Sequence, residues 1–221
     1  MRLCLGLLRR RQCVVPTLRG WLVVFLVTGA LAVGTVRGLY PFLAVHDSKP
    51  GGVLVVEGWG SEESMREVIE EFKRNHYDAI YTIGGPIEDS SPLVQYKTLA
   101  EYGAVVLTRL GCDAKVVHAI PTPRVVKDRT YSSAVALKAW LKRKGIPATT
   151  VNVYSTGTHS RRSRLLFQKA FGDEARIGVV ASEDREFDPR RWWASSIGFR
   201  NVTSEAIAYC YARFLFHPPA E

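Results

Sequence analysis

Cysteine is scarce in this chain, and its placement argues against a metal centre and against a disulfide framework. The sequence has four cysteines in 221 residues, with no CxxC pair and no cysteine at a metal-ligand spacing from a histidine. Isolated cysteines are typically buried small hydrophobes, so Cys112 and Cys210 would pair only where the fold brings them together. Four histidines also lack the spacing of metal ligands, namely His46, His76, His118 and His217. We therefore expect no metal.

Three motifs of common α/β enzymes are missing as well. No Gly-x-Gly-x-x-Gly follows the first apolar strand, and there is no Gly-Lys-Ser/Thr phosphate loop. These absences argue against ordinary dinucleotide binding and against P-loop nucleotide binding. The chain also has no Gly-x-Ser-x-Gly nucleophile elbow, which argues against the serine chemistry of α/β-hydrolases.

Acidic residues are absent from the first 45 positions, so most of the net charge of +9 lies in this N-terminal part of the chain. Those positions hold six arginines and no lysine. The rest of the chain then has 24 basic and 21 acidic residues, a net charge of only +3. A broad DNA- or RNA-binding face needs many phosphate contacts, so we expect no nucleic-acid partner.

The basic N-terminus precedes a long apolar stretch. Residues 20–36 are uncharged, and the apolar character continues past Arg37 to residue 45, enough to span a hydrocarbon core of about 30 Å. The arginines ahead of this stretch predict, by the positive-inside rule, a cytoplasmic N-terminus and an extracytoplasmic domain. Ala30-Leu31-Ala32 resembles a cleavage site, so a cleaved signal peptide is the alternative. We favour an uncleaved, single-pass anchor in the plasma (inner) membrane, because the apolar run continues beyond that site.

These signals divide the chain into four segments. Residues 1–19 are predicted to be a cytoplasmic basic N-terminus, residues 20–45 the transmembrane anchor, residues 46–52 a linker and residues 53–217 a folded domain. The hydrophobic content of 47% is enough for one good-sized core.

From residue 53 onward, strand and helix patterns alternate. Strands are predicted at 53–56, 79–83, 115–120, 149–154 and 176–181, and helices at 62–75, 93–110, 129–144, after residue 160 and at about 204–216. Right-handed crossovers force such a chain into a mostly parallel sheet that is covered on both faces. We predict an α/β, Rossmann-like three-layer domain. Ligands in such folds bind beyond the carboxyl ends of the strands.

The most informative stretch is Asn152–Phe171, whose pattern is a strand, a polar loop and a helix. His159 lies in the loop, while Arg161, Arg162 and Arg164 fall in the first turn of the helix, where the helix dipole disfavours cations. A bound anion would explain these arginines, because backbone N–H groups and guanidinium groups converge there. The alternative is a solvated basic face with a loop histidine.

Residues at the other strand ends complete the candidate site. Glu57 directly follows an apolar strand, where a carboxylate is unusual unless it is paired. Gly84 and Gly85 either let backbone N–H groups approach an anion or simply form a turn. Asp128 is placed to cap its helix, with ligand contact as the alternative. Two threonines are further ligand-binding candidates at this edge, Thr130 and Thr156.

Several of these motifs together resemble the ElyC/SanA/YdcF family of YdcF-like domains. The shared features are a first strand within VLVVEGW, a second strand ending in Gly-Gly, a helix start DRTYSSA and the turn TGTHSRR. His159 and Arg162 match the family's His-x-x-Arg, and Thr130 matches the threonine of its Ser-x-x-Thr stretch. Lys127 stands where the family often has serine, and Glu57-Gly58 where it often has Leu-Gly. The resemblance covers residues 53–216.

The resemblance implies a Rossmann-like, commonly membrane-tethered domain with a role in cell-envelope homeostasis, involving the cell wall and its peptidoglycan or a lipid carrier. One soluble relative suggests S-adenosylmethionine binding. We expect a nucleotide- or S-adenosylmethionine-binding enzyme only if the domain is cytoplasmic, because an extracytoplasmic domain has no ready supply of that compound. The cofactor is left unassigned.

Three functions remain open. In an enzyme, His159 would be the general acid or base, Arg161 and Arg162 would hold a phosphate, and Asp128 or Glu57 would orient the imidazole or a water. In a binding module, the same arginines would recognise an anionic small molecule or a lipid-linked phosphate. The third function is a non-catalytic envelope assembly factor. The lipid membrane is a partner in each case.

Two arginines followed by two tryptophans, at residues 190–193, have two interpretations. The segment Arg190-Arg191-Trp192-Trp193 suits an interfacial contact with lipid headgroups. Core packing of one or both tryptophans is the alternative, and we favour it.

Overall fold

The computed structural model describes residues 16–147 and 149–218. The chain divides into two compact units, Met1–Gly38 and Leu39–Glu221. Most of the predicted cytoplasmic segment, including Cys4 and Cys13, lies outside the described residues.

The N-terminal helix, α1, spans Leu18–Leu43 and is long and apolar enough to cross a membrane. At about 1.5 Å per residue, its 26 residues extend roughly 39 Å, which exceeds the thickness of a hydrocarbon core. The helix begins and ends two residues before the predicted anchor of residues 20–45. Only the last residues of α1, from Leu39 onward, belong to the second unit.

The second unit is built on a parallel sheet. Within residues 16–147 and 149–218, the five strands have the order β3-β2-β1-β4-β5, and every neighbouring pair is parallel. The strands are β1 Val53–Glu57, β2 Ala79–Gly84, β3 Val117–Pro121, β4 Thr150–Ser155 and β5 Arg176–Ala181. The chain winds from β1 toward one edge and then from β4 toward the other, so the topological switch point lies between β1 and β4.

Helices cover both faces of the sheet, which confirms the predicted three-layer α/β architecture. They are α2 Glu62–Asn75, α3 Leu99–Arg109, α4 Arg129–Lys144, α5 Ser160–Phe171 and α6 Ser196–Cys210. On β1, Val53 and Val55 face the core formed with α4 and α5, whereas Leu54 and Val56 face the core formed with α2 and α3. Such burial on both faces explains why the strands have continuous apolar runs.

Two helix predictions were wrong at their boundaries. The predicted helix at 93–110 is a short 3-10 turn, Val94–Tyr96, followed by α3, because Thr98 and Glu101 form a capping box that starts the helix there. The predicted helix at 204–216 begins eight residues earlier, where the side chain of Ser195 caps the backbone N–H of Gly198. After Cys210, the helix continues as one π-helical turn, Tyr211–Leu215.

One residue of each cysteine and tryptophan pair considered above is buried, and the other is exposed. Cys112 is buried and Cys210 is exposed, and the two are not bonded to each other. Trp192 is 3% exposed and Trp193 is 38% exposed, so the core-packing interpretation holds for the first tryptophan.

Candidate functional site

A cleft of about 840 Å³ opens beyond the carboxyl ends of the strands, as the predicted fold requires. It lies at the switch point, where β1 ends at Glu57 and β4 leads into the turn Gly157–His159 and helix α5. Eight of the predicted site residues line it together: Glu57, Gly84, Gly85, Asp128, Thr130, Thr156, His159 and Arg162.

The floor of the cleft is a network around His159, which is 8% exposed. Its Nε2 lies 3.4 Å from Glu57 Oε1, and its Nδ1 lies 3.2 Å from Glu205 Oε2. Ser155 at the end of β4 donates from its hydroxyl to the other oxygen of Glu57, at 3.4 Å. The imidazole is therefore held between two carboxylates that come from opposite ends of the chain.

Both carboxylates stabilise the protonated form of His159. Burial by itself lowers the pKa of His159, but the charge of Glu57 and the hydrogen bonds to Glu205 and Glu57 outweigh it and raise the pKa to about 9. Arg162 Nη2 lies 2.8 Å from Nδ1, and its positive charge lowers the pKa of His159 by less than the carboxylates raise it. The raised pKa favours the imidazolium form at neutral pH, in which the ring donates protons and does not accept them.

The proton on Nε2 is the one that a ligand can reach. Its 3.4 Å separation from Glu57 is longer than a normal N–H···O hydrogen bond. An oxygen atom in the cleft can therefore compete for this proton, whereas Nδ1 is surrounded by Glu205 and Arg162.

Arg162 forms a two-point ion pair with Glu205. Its Nε donates to Glu205 Oε2 at 2.8 Å, and its Nη2 donates to Oε1 at 2.9 Å. Burial alone would raise the pKa of Glu205, but the hydrogen bonds from His159 and Arg162 dominate and lower it to about 2. The edge of the guanidinium that sequence reasoning assigned to an anion is therefore occupied by a carboxylate of the same chain.

Asp184 supports the turn that carries His159. A Cβ on Gly157 would lie 2.0 Å from Asp184 Oδ2, so a side chain at this position would have to displace the Asp184 carboxylate. The carboxylate accepts a hydrogen bond from Tyr40 at 2.8 Å and one from the backbone of Thr158. Burial raises the pKa of Asp184, and these two hydrogen bonds oppose the rise.

The rim of the cleft carries cations that, among the described residues, have no carboxylate partner. Arg124, Lys127 and Arg129 line the cleft and are exposed. Within the part of the chain that the structure describes, none of the three lies within salt-bridge distance of a carboxylate. These charges are available to an anion, whereas the charges of the floor pair with one another.

Helix α4 begins at this rim. Asp128 stands at the predicted N-cap position, but its side chain makes no capping hydrogen bond, and its backbone is left-handed with φ of 54°. Such a conformation costs free energy for a non-glycine residue and is common at ligand sites. The first backbone N–H groups of α4 therefore have no side-chain cap, and a helix N-terminus of this kind attracts anions.

The two glycines at the end of β2, Gly84 and Gly85, differ in role. A Cβ on Gly84 would lie 2.6 Å from Leu99 Cβ, so glycine is needed there for α3 to pack against the strand end. The nearest atom to a Cβ on Gly85 would be 3.7 Å away, so packing does not require glycine at this position. Gly85 lines the cleft. Thr130 and Thr156 also line it, while the side chain of Thr156 makes no capping bond to the turn.

Arg161, for which the sequence predicted a ligand role, is not among the residues that line the cleft. Its guanidinium lies 4.0 Å from the centroid of the Phe42 ring, and its Nε donates to the Phe42 carbonyl. Arg164 pairs with Asp47 at 2.8 Å. Consecutive helical positions point in different directions, so only Arg162 of the three arginines reaches the floor.

Sequence reasoning did not single out Glu205 or Asp184. Glu205 is the sole acidic residue between Glu186 and Pro218 apart from Asp188, which was a usable signal. The wrong helix boundary hid it, because Glu205 then stood in the first turn of a helix, where a carboxylate is ordinary.

The fold and the site together define an α/β domain with a cleft at the switch point of a parallel sheet. Comparison with protein-family models and with curated proteins finds no match to this chain. Among the described residues, no group of three or more His, Cys, Asp or Glu side chains is arranged to hold a metal ion.

Proposed function

We propose that this chain is a membrane-anchored domain that binds a phosphate-bearing ligand of the cell envelope in the cleft at the switch point. The observation that carries the proposal is that one cleft combines the uncapped start of α4 with rim cations that have no carboxylate partner in the described part of the chain. Guanidinium groups and helix N-terminal N–H groups are the donors that phosphate prefers in proteins.

The rim and the floor have different roles in this proposal. Arg124, Lys127 and Arg129 attract and hold the phosphate, because their charges have no partner in the described residues. The floor is nearly neutral, since His159 and Arg162 offset Glu57 and Glu205. It orients the ligand through the Nε2 proton of His159.

The proposed location is extracytoplasmic. Helix α1 is long and apolar enough to cross a membrane, and six arginines stand in the first 45 residues without an acidic residue. A topology reporter that is active only outside the cytoplasm, fused after Glu221, should score positive. A cytoplasmic reporter signal would contradict the envelope assignment. Membership of the ElyC/SanA/YdcF family is part of this proposal and is supported by the shared sequence motifs.

Binding of an isoprenyl phosphate to the full chain in nanodiscs tests the proposed ligand. Arg129→Gln should weaken binding by at least about tenfold, which corresponds to losing one charge-assisted contact of about 1.5 to 3 kcal/mol. Arg143→Gln is the matched control, because Arg143 is an exposed arginine at the opposite end of the same helix. Equal losses in the two variants would refute the rim as the binding site.

Catalysis of phosphate-ester chemistry is the second candidate function, and the buried imidazolium favours it. His159 is positioned to donate a proton to a leaving oxygen through Nε2. If it does so, His159→Gln should retain affinity for the isoprenyl phosphate within a few-fold while turnover of a phosphate ester falls by roughly 10² to 10⁴. Parallel loss of binding and turnover would favour a binding module.

A further inference from the structure

Helix α6 and the π-helical turn after it expose an apolar stripe. Phe199, Ile207, Cys210 and Phe214 recur at spacings of eight, three and four residues, which places them on one side of the helix. Ile207 is 72% exposed and Phe214 is 69% exposed. At about 1.5 Å per residue, the stripe is roughly 22 Å long. A solvent-exposed row of this length is unusual for a soluble surface.

The charges around the stripe are of one sign. Arg200 and Arg213 are exposed, and the residues from Ser196 to Pro218 contain a single carboxylate, Glu205. That carboxylate is turned inward and is paired with Arg162. The outer side of α6 is thus apolar and basic, a composition that suits the interface of a bilayer with anionic lipids.

The beginning of the second unit lies against this helix. Phe42 packs edge-on against Tyr209 of α6, with ring centroids 5.5 Å apart, and Leu43 is fully buried. Ser160 donates from its hydroxyl to the Leu43 carbonyl at 3.1 Å. These contacts are all within the unit that starts at Leu39. Helix α1 ends at Leu43, so the chain connects this part of the second unit directly to the segment that is long and apolar enough to cross a membrane.

We propose that the stripe formed by Phe199, Ile207, Cys210 and Phe214 lies in the headgroup region of the same bilayer that α1 spans. The membrane is therefore bound at two places, by the anchor and by α6. The inner side of α6 lines the cleft through Ser204, Glu205 and Ala208, so a helix lying on the bilayer also holds the cleft next to the lipid headgroups. This proposal does not depend on which ligand the cleft binds.

Spin labelling of the native Cys210 tests the proposal in the full chain. Cys4 and Cys13 are replaced by serine, and the buried Cys112 is left in place. The protein is reconstituted in nanodiscs of phosphatidylethanolamine and phosphatidylglycerol. Accessibility of the label to oxygen and to a water-soluble nickel complex then reports its depth.

The label at Cys210 should collide more often with oxygen than with the nickel complex, as for a site about 5 to 10 Å below the lipid phosphates. The matched control is Glu70→Cys with Cys210→Ser, because Glu70 is exposed on α2 across the sheet. That label should favour the nickel complex. Equal accessibility at the two positions would overturn the proposal. Spin–spin broadening at Cys210 would also overturn it, because a second copy of the chain would then cover the stripe.

Discussion

Arg162→Ala should destabilise the folded domain even when no ligand is bound. Arg162 and Glu205 are joined by two hydrogen bonds of 2.8 and 2.9 Å, and their side chains are 21% and 20% exposed. Removing one partner of a fully buried ion pair costs about 3 to 5 kcal/mol, because the other charge is left without compensation. Since some water reaches this pair, we expect a loss of about 2 to 3 kcal/mol.

The measurement is guanidinium unfolding of the full chain in nanodiscs, followed by tryptophan fluorescence. Arg66→Ala is a matched control, because Arg66 pairs with Glu62 at 2.7 Å while both side chains are more than 60% exposed. An exposed pair of this kind contributes less than about 1 kcal/mol. The free energy of unfolding of the control should therefore change little.

A double variant separates the ion pair from the packing of the arginine stem. In Arg162→Ala with Glu205→Gln, the buried negative charge is removed together with its partner, so the loss should be smaller than for Arg162→Ala alone. If Arg162→Ala were no more harmful than Arg66→Ala, Arg162 would not depend on Glu205. Arg162 would then be free to bind an anion on the floor, and the rim would not be the anion site.

Two further predictions concern the same unit. The pKa of His159 is raised from 6.5 in the unfolded chain to about 9, so its contribution of the order of 3 kcal/mol is complete below pH 6.5 and is lost as the pH rises toward 9. His159→Gln should abolish this slope in pH-dependent unfolding, and an unchanged slope would refute the assignment. Tyr40→Phe removes the hydrogen bond to Asp184 and should lower the unfolding free energy by about 1.5 kcal/mol. A variant as stable as the wild type would show that this bond does not support the site.

The fold was predictable because local signals agree with the tertiary structure. The bounds of α2, α4 and β5 match the predicted ranges, and each has clear sequence boundaries: Ser61 caps α2, and Gly145 in a left-handed conformation ends α4. The strands were recognisable because strands that are buried on both faces have continuous apolar runs. The α/β class follows from the order of these elements.

The boundaries that failed depend on hydrogen bonds that the composition does not reveal. Helix α3 starts late because Thr98 and Glu101 cap each other, whereas Tyr96 and Lys97 remain outside it. Helix α6 starts early at a single serine cap, Ser195, in a polar stretch without clear helical spacing.

The sequence predicted which residues lie at the cleft but not which side chains pair with one another there. The rule that ligands bind at the strand ends placed Glu57, Asp128 and His159 at one cleft, as the structure shows. The pairing of Arg162 with Glu205 joins residues 43 positions apart, and the contact of Arg161 with Phe42 joins residues 119 positions apart. Such pairings are set by tertiary packing, and no local pattern in the sequence encodes them.

Photocrosslinking is the most direct test of the central claim that the cleft binds a phosphate-bearing ligand. The full chain in nanodiscs would be irradiated with an isoprenyl phosphate that carries a diazirine next to the phosphate, and the modified peptides would be mapped by mass spectrometry. We expect crosslinks within residues 122–133 and 156–166, reduced by unlabelled isoprenyl phosphate and by Arg129→Gln. Crosslinks confined to other surfaces, or crosslinks that the unlabelled compound does not reduce, would contradict the account.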